Sequence, residues 1–570
     1  MSIVNQHLKK LLGQIGTPLW DGYVNMLKTL RSVFLSPKHW ILEFLQNAED
    51  AKARKISIRL GQDLLWILND GDPFKDSDFC AICDVNSRKL PSLGFRGYIG
   101  IGFKSIFRIT EHIEIHSGNF HFMFNKKHWD EDKRKGIPLS KWPWEILPIE
   151  ISPKDLPEDY TTGFYVPFPD PEGQKTLQEI KEFLISKDFP KEAILLLKSI
   201  EKIEVQTPQK HFLITKKSEE RQEDQDVKIE TVVVKKEILQ PGGTGIEEEA
   251  RYLVFRKTVD VPLHIKQDEE TERVRRSDVD KREIGLIFGL DHSRNLQILD
   301  GKLTGVYSFL PVEGEQTGLP FGIFGDFIPQ PGRDLINYGA KWNHWMRDEA
   351  IDLFKTIIQR VFLHHPQWQF FPTELFKQLS YSSVSGPGKE FWEGLRNPIR
   401  AFLEEGAFYL DDEGRPRKLE ELIAVDDELI EAIGKEELKK ILGKRLPDPT
   451  IKDKIQQKIG YVGIYGLLHR KEWLEILKDQ PKKLIECYRL IAHLSDNYYI
   501  RGRGGRDAPL SSIPFVLGDD NEFHPPENVI IMERDTEQVP IFLKSLSKKT
   551  KHLHPEINKD NEAVEQLKRC

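Results

Sequence analysis

Apolar residues fall at helical spacing in the first stretch of the chain (Leu8, Leu11, Leu12 and Ile15), and Pro18 interrupts that run. Helical patterning resumes from Tyr23 to Phe34. After Pro37, HWILEFLQNAEDAKA reads as a strongly periodic helix. In it Trp40, Leu42, Phe44 and Leu45 are expected to face a sheet, with Glu43, Asn47 and Asp50 sharing the other face. The period then changes to two. KISIRLGQDLLWILNDG predicts two strands joined through Gly61 and ending at Asp70-Gly71. A short helix carrying Phe79, Ile82 and Val85 follows, capped by Asp76 or Ser77. SRKLPSLGFRGYIGIG reads as a glycine-rich loop, FKSIFRI opens a helix, and HIEIHS and FHFMFN alternate as strands.

Residues 127–157, rich in Trp, Pro and Lys, read as a surface excursion. TTGFYVPFP is a further strand, and two helical patterns lead into EKIEV. From about residue 207 long strand patterns follow (VKIETVVVKKEIL, ARYLVFRKTVDV) around the turn signal QPGGTG. The charged run 267–282 is expected as a solvated hairpin tip. Helices dominate beyond residue 350, apart from a β-hairpin near 512–532. The expected class is α/β (α+β), with an N-terminal α/β domain over 1–206, a middle α+β domain over 207–350 and a mainly helical region over 351–570. The polar tail has no clear final element, so the chain reads as one piece of a longer polypeptide.

At 570 residues the chain exceeds a single hydrophobic core, and length alone suggests roughly three or four domains. Apolar content of 39% with a negative mean hydropathy describes a charge-rich protein. No run of eighteen apolar residues predicts a membrane helix, and the N-terminus lacks the apolar core of a signal peptide. Four cysteines make no disulfide framework, which points to a reducing cytoplasm. A net charge of −7 exerts no global pull on nucleic acid.

The chemistry concentrates between Glu43 and Ser105. Glu43, Asn47 and Asp50 lie on neighbouring helical turns. An amide oxygen such as that of Asn47 suits Mg²⁺, and a carboxylate one turn away can polarise a water for attack on a phosphoryl group. Taken alone, this helix reads more simply as an amphipathic helix with its polar face in solvent. Asp70 sits where a strand gives way to Gly71; its carboxylate can accept from an exocyclic amine such as that of adenine, or close an Asx turn. Gly97, Gly100 and Gly102 before FKSIF have the logic of a phosphate cradle, with backbone N–H groups and a helix start turned to an anion. Three such elements in this order, within about sixty residues, point to a nucleotide pocket more strongly than each does singly.

ExxxNAEDA, NDG and GYIGIGFKSIFRITEHIEIHS resemble the three nucleotide-binding boxes of the GHKL ATPases, a superfamily that includes ninety-kilodalton heat-shock chaperones, type II topoisomerases, MutL and sensor histidine kinases. NDGDPF, SDFCAI and GIGFKS are most similar to its sacsin-type branch. The resemblance implies a Bergerat-type α/β sandwich holding ATP and Mg²⁺. Glu43 would be the catalytic base, Asn47 the magnesium ligand and Asp70 the adenine reader. Asp50, Ala51, Gly71 and Phe74 would complete that rim. Gly97, Tyr98, Ile99, Gly100, Ile101, Gly102, Phe103 and Lys104 would form the phosphate loop. Ser87 and Lys89 fall where related ATPases carry a nucleotide-contacting or lid segment. Two departures stand out. Asp70-Gly71-Asp72-Pro73-Phe74 lacks the second glycine of the family's D-x-G-x-G, and the usual Gly-Thr box is here Thr161-Thr162-Gly163-Phe164, with Thr162 as the candidate contact. FLPVEGEQTGLPFGIFGDFIPQPGRD resembles the segment after the sacsin-type ATPase module. Within it Arg333 is the positional candidate for an arginine finger, or else a loop arginine paired with Asp334.

What this implies is an ATPase releasing ADP and phosphate, whose turnover drives lid closure and domain rearrangement, in a chaperone-like switch or an anti-phage defence system. Relatives of this kind close as dimers, so residues 1–35 are the candidate exchange element for a homodimer. Two other readings stay open: an adaptor that binds nucleotide without turnover, and a nucleic-acid clamp, for which Arg501-Gly-Arg-Gly-Gly-Arg506 offers a basic loop. Cys80 and Cys83 read as buried structural cysteines, and His112, His116 and His121 as sheet residues.

Overall fold

The computed structural model describes residues 2–33, 39–84, 102–186, 189, 191–240, 243–299, 301–308, 310–312, 314–330, 335–381, 383–494, 509–531 and 551–570. The backbone forms two compact units: Met1–Trp368 with Tyr381–Ile399, and Gln369–Ser380 with Arg400–Cys570. Both helix and sheet are abundant, and the class is α+β.

The first unit opens with helices α1 (Ile3–Leu12), α2 (Pro18–Val33) and α3 (His39–Asp50). Strands β1 (Lys55–Leu60) and β2 (Leu64–Asn69) follow, then α4 (Asp76–Ile82) and a 3-10 turn over Gly102–Arg108. Next come β3 (His112–Ser117), β4 (Phe120–Asn125), β5 (Ile149–Glu150), β6 (Thr162–Pro167), α5 (Pro171–Ile185) and β7 (Lys202–Gln206). Three long strands extend the chain: β8 (His211–Asp224), β9 (Val227–Gln240) and β10 (Gly243–Asp260). After short helices α6 (Leu263–Lys266) and α7 (Glu269–Arg273) come β11 (Lys281–Leu290), β12 (Leu296–Gln297), β13 (Val306–Ser308), β14 (Leu310–Pro311) and β15 (Gly322–Gly325).

These strands form one fifteen-stranded sheet in the order β14-β13-β15-β11-β10-β9-β8-β7-β1-β2-β6-β3-β4-β5, with β12 on β11. β1 runs parallel to β7 and β13 to β15; the other ladders of this sheet are antiparallel. The sheet passes straight through the 206/207 boundary expected from composition, because β7 pairs with β8 through Gln206↔His211. Val232, Val233, Val234, Val254 and Phe255 bury the middle of β9 and β10. Gly285 is a packing requirement: a Cβ there would lie 2.0 Å from the ring of its cross-strand neighbour Phe324.

Near β2, β6 and β3 the sheet has two different faces. Leu65 and Ile67, Val166 and Phe164, and Ile113 and Ile115 are buried on the face toward the helices. There the Phe164 ring meets Phe44 of α3 at 4.8 Å and Phe103 of the 3-10 turn at 6.1 Å. The opposite face carries half-buried Trp66 and Tyr165, with the Lys154 ammonium 3.5 Å from the Tyr165 ring and 2.8 Å from Glu114. One face dry and one wet is what antiparallel pairing with period-two alternation allows. α3 is fastened at its far end by Glu49, whose buried carboxylate accepts from the backbone amides of Lys198, Ser199 and Ile200 at 2.6–3.1 Å.

Three sequence expectations change here. Residues 127–157 are no mere excursion: Trp129, Trp142 and Trp144 are buried, and Trp20 of α2 meets Trp142 edge-on at 5.0 Å. The charged run 267–282 is no hairpin tip either. It contains α7 and buries Arg276, which donates to the Asp326 carbonyl and carboxylate at 2.8 and 2.6 Å and lies 4.8 Å from the Trp342 ring. A charge run is a solvated surface only when its members find no partner in the fold, and Asp326 is fifty residues away. The N-cap of α4 is Lys75, not Asp76 or Ser77; Asp78 Oδ2 accepts the Lys75 amide at 2.9 Å.

The second unit is mainly helical. Its apolar cluster includes Leu429, Leu438, Leu467, Leu474, Leu484 and Tyr488. A small antiparallel pair, Val516–Leu517 with Phe523–His524, turns through Asn521 at φ +61°. This is the hairpin that the Gly-Asp-Asp-Asn signal predicts. No helix among the described residues is long and apolar enough to cross a membrane.

Candidate functional site

Where β2 ends, three polar side chains stand abreast. Asn69 is the Cα partner of Thr162 in β6, and Thr162 is the partner of Ser117 in β3. Directly opposed residues of antiparallel strands point to one face, so the row continues the parity of Ile67–Phe164–Ile115, the face toward α3. All three are buried, Asn69 at 6% exposure and Thr162 and Ser117 at 1%. Ser117 Oγ and Thr162 Oγ1 are 2.6 Å apart, and Ser117 Oγ accepts the Phe74 amide at 2.9 Å, which draws the loop after β2 over the row. Asn69 Oδ1 accepts the Gly71 amide at 3.1 Å. Asn69 Nδ2 has no hydrogen-bond partner among the described residues.

The same loop meets the end of α3. Asp72 N donates to the Ala51 carbonyl at 2.7 Å, and a Cβ on Gly71 would lie 2.6 Å from that oxygen. Glycine is required here because two backbones touch. Along α3, Phe44, Asn47 and Ala51 share a side at spacings of three and four. Phe44 rests on Phe164 and Ala51 on Gly71, so Asn47 lies between those two contacts, over the polar row. Asn47 is half-buried, and its side-chain amide makes no hydrogen bond among the described residues. Glu43, one turn earlier, is 5% exposed, and Asp50 is half-buried. The polar side of this helix therefore faces into the unit, where its sequence alone also allowed a solvent face.

Two sequence-predicted site residues point elsewhere. Asp70, expected to read adenine, has the opposite parity to Asn69. Its Oδ1 accepts the backbone amides of Arg54 and Lys55, both at 2.8 Å, so the carboxylate ties the start of β1 to the end of β2. Lys104, expected in the phosphate loop, is buried and donates to the carbonyls of Ile82 and Glu145 at 2.6 and 2.8 Å. Burial lowers its ammonium to about 8 and pushes the neighbouring Cys83 thiol up. In both cases the charged end bonds backbone groups that the fold brings beside it. Phe103 forms the aromatic floor with Phe44 and Phe164, and the half-buried Phe74 ring lies 6.3 Å from Phe164. Ser87, Lys89, Gly97, Tyr98, Ile99, Gly100, Ile101 and Arg333, with the Arg501–Arg506 loop, lie outside the described residues; Gly102 begins the 3-10 turn.

Asn69 and Ser117 are the site residues that motif reading passed over. Asn69 was legible in part, since it keeps step with Leu65 and Ile67 whereas Asp70 does not. Ser117 had no local signal. On the other face of the sheet a second polar cluster is internally satisfied: Glu204 accepts from Ser57, His211 and Tyr160 at 2.7–3.1 Å. Burial opposes its ionisation, and those hydrogen bonds with Arg59 outweigh it, holding the carboxyl at about 2. His116 and His121 approach at 3.2 Å between ring nitrogens, and burial lowers the His116 imidazole. No group of three or more His, Cys, Asp or Glu that could hold a metal occurs among the described residues. A magnesium ion carried mostly by phosphate and water, with one amide ligand, needs no such group.

The chain matches none of the known protein-family models. It is 26% identical over 351 residues to Protein NO VEIN of Arabidopsis thaliana, a match that covers 57% of this chain and 11% of that protein. The chain thus spans about a tenth of the length of this curated relative.

Proposed function

We propose that this chain is a GHKL-type, sacsin-like ATPase that binds ATP with Mg²⁺ between α3 and the Asn69–Thr162–Ser117 row and hydrolyses it to ADP and phosphate. The observation that carries the reading is the convergence of Asn47 on α3 with the buried Asn69–Thr162–Ser117 row at the place where Ala51 touches Gly71. Asn47 Oδ1 suits a hard cation that keeps phosphate and water in its shell. Bound there, magnesium would neutralise charge on the phosphate oxygens. Glu43, one turn from Asn47, is placed to orient a water and take its proton. Phe103, Phe44 and Phe164 give the site a dry floor.

Turnover in this reading drives lid closure and domain rearrangement, in a chaperone-like switch or as the ATPase component of a defence system. The test is phosphate release from Mg-ATP beside equilibrium binding, for the wild type and Glu43→Gln. Release by the wild type, with binding but no release by the variant, supports the reading. Binding with no release by either would make the chain a nucleotide-ordered adaptor. Absence of binding would remove the nucleotide site.

A further inference from the structure

Resting on that ATPase reading, we infer that Glu49 is a positioning residue for hydrolysis: its carboxylate fixes how α3 is turned about its own axis and ties that setting to β8, β10 and β11. Glu49 follows Asn47 by two residues and Glu43 by six. It therefore projects from the far side of the helix, about 200° round from Asn47 and about 240° from Glu43. There it is 7% exposed, and its two oxygens accept from three successive backbone amides, those of Lys198, Ser199 and Ile200, at 2.6–3.1 Å. Three converging N–H groups form a seat that needs an acceptor on both oxygens, which a carboxylate offers and a side-chain amide does not. With this seat on one side and the Ala51–Gly71 contact on the other, α3 cannot roll without breaking one of them.

The seat is itself clasped from the other half of the sheet. It continues the 3-10 turn Lys191–Leu196, whose Ile194, Leu195 and Leu196 are buried together with Leu197 and Ile200. Lys216 of β8 donates to the Leu197 carbonyl, and Arg256 of β10 donates to the Leu195 carbonyl at 3.2 Å. Glu283 of β11 accepts from Arg256 at 3.0 Å and from Lys198 at 3.2 Å. Burial lowers the Lys216 ammonium to about 8, and the nearby Glu49 charge acts against that fall. These bonds brace α3 against β8, β10 and β11 through one packed segment, past the β7–β1–β2 ladders that separate those strands from the row. A turn of about 20° would move a side-chain atom about 6 Å from the helix axis by about 2 Å. Misplacement by about 1 Å at a reacting centre costs on the order of a hundredfold in rate.

Glu49→Gln is the diagnostic variant, because it keeps the side chain's shape and turns an amide donor onto a backbone donor. Arg256→Met is the remote one: it releases the Leu195 carbonyl and leaves Glu283 its Lys198 partner. For both variants and the wild type, equilibrium binding of Mg-ATP and kcat at saturating Mg-ATP are measured, with urea titration to fix the folded fraction. Glu49→Gln is expected to lower kcat by about tenfold or more, and Arg256→Met by about threefold. Both should bind Mg-ATP within about threefold of the wild type, because the polar row, Phe103 and Phe164 do not belong to α3. A folded Glu49→Gln with wild-type kcat and only a lower urea midpoint makes Glu49 a brace of the fold and overturns the inference, and so does a loss of binding as large as the loss of kcat. If Glu49→Gln does not fold, Arg256→Met decides, and wild-type kcat there overturns the inference. A wild type that binds no Mg-ATP, or binds it and releases no phosphate, overturns the ATPase reading itself, and this inference with it.

Discussion

Asn69 and Thr162 face each other across the ends of β2 and β6, one residue short of the aspartate that the motif singles out. That one-residue offset decides the chemistry of the corner. Successive strand residues point to opposite faces, so Asn69 looks toward α3 while Asp70 binds the Arg54 and Lys55 amides.

The two backbone amides held by Asp70 Oδ1 predict a stabilising role for this carboxylate. Asp70→Ala removes the acceptor of two backbone amides and is expected to lower unfolding free energy by about 2 kcal/mol. Nucleotide affinity should stay within about threefold, under ~0.7 kcal/mol. Denaturant titration and equilibrium binding on the same variant check both halves. A collapse of binding without loss of stability would return Asp70 to the site.

Ser117→Ala breaks two bonds at once, leaving the Phe74 amide and the Thr162 hydroxyl short of a partner. With Ser117 buried, the expected cost is about 1–3 kcal/mol. Because Phe74 leads the loop over the row, nucleotide binding should weaken as well. A shifted urea midpoint at constant slope, with reduced affinity, is the predicted result.

Lys104 makes a pH signature. Its folded value, about 8, lies below the ordinary 10.5. Between those values the unfolded chain holds more protons than the folded one, so this group makes stability rise as pH rises. Below about 8 the cost of burying the ammonium is present in full. Measured relative to Lys104→Met, wild-type stability should therefore increase from about pH 7 to about pH 10. The unsatisfied carbonyls of the variant add a pH-independent offset and do not alter the slope. A flat difference would show that Lys104 is not buried.

Much of the local architecture was legible in the chain. LLWILN and HIEIHS alternate as the strands β2 and β3 do, and HWILEFLQNAED has the apolar spacing of α3. Local sterics and period settle such elements, because side chains three or four apart on a helix, or two apart on a strand, share a face whatever lies beyond.

What the sequence determined by itself was the order of its elements and the candidate chemistry between Glu43 and Ser105. What tertiary structure decided was which of those polar groups are available. Lys104 found Ile82 and Glu145, Asp70 found Arg54 and Lys55, and Ser117 found Thr162 forty-five residues later. A buried polar atom is spoken for by whichever complementary group the fold brings within about 3 Å, and no motif records that distance. Among the described residues Asn47 and the Asn69 Nδ2 meet no such group, and the proposed nucleotide site is read from that corner.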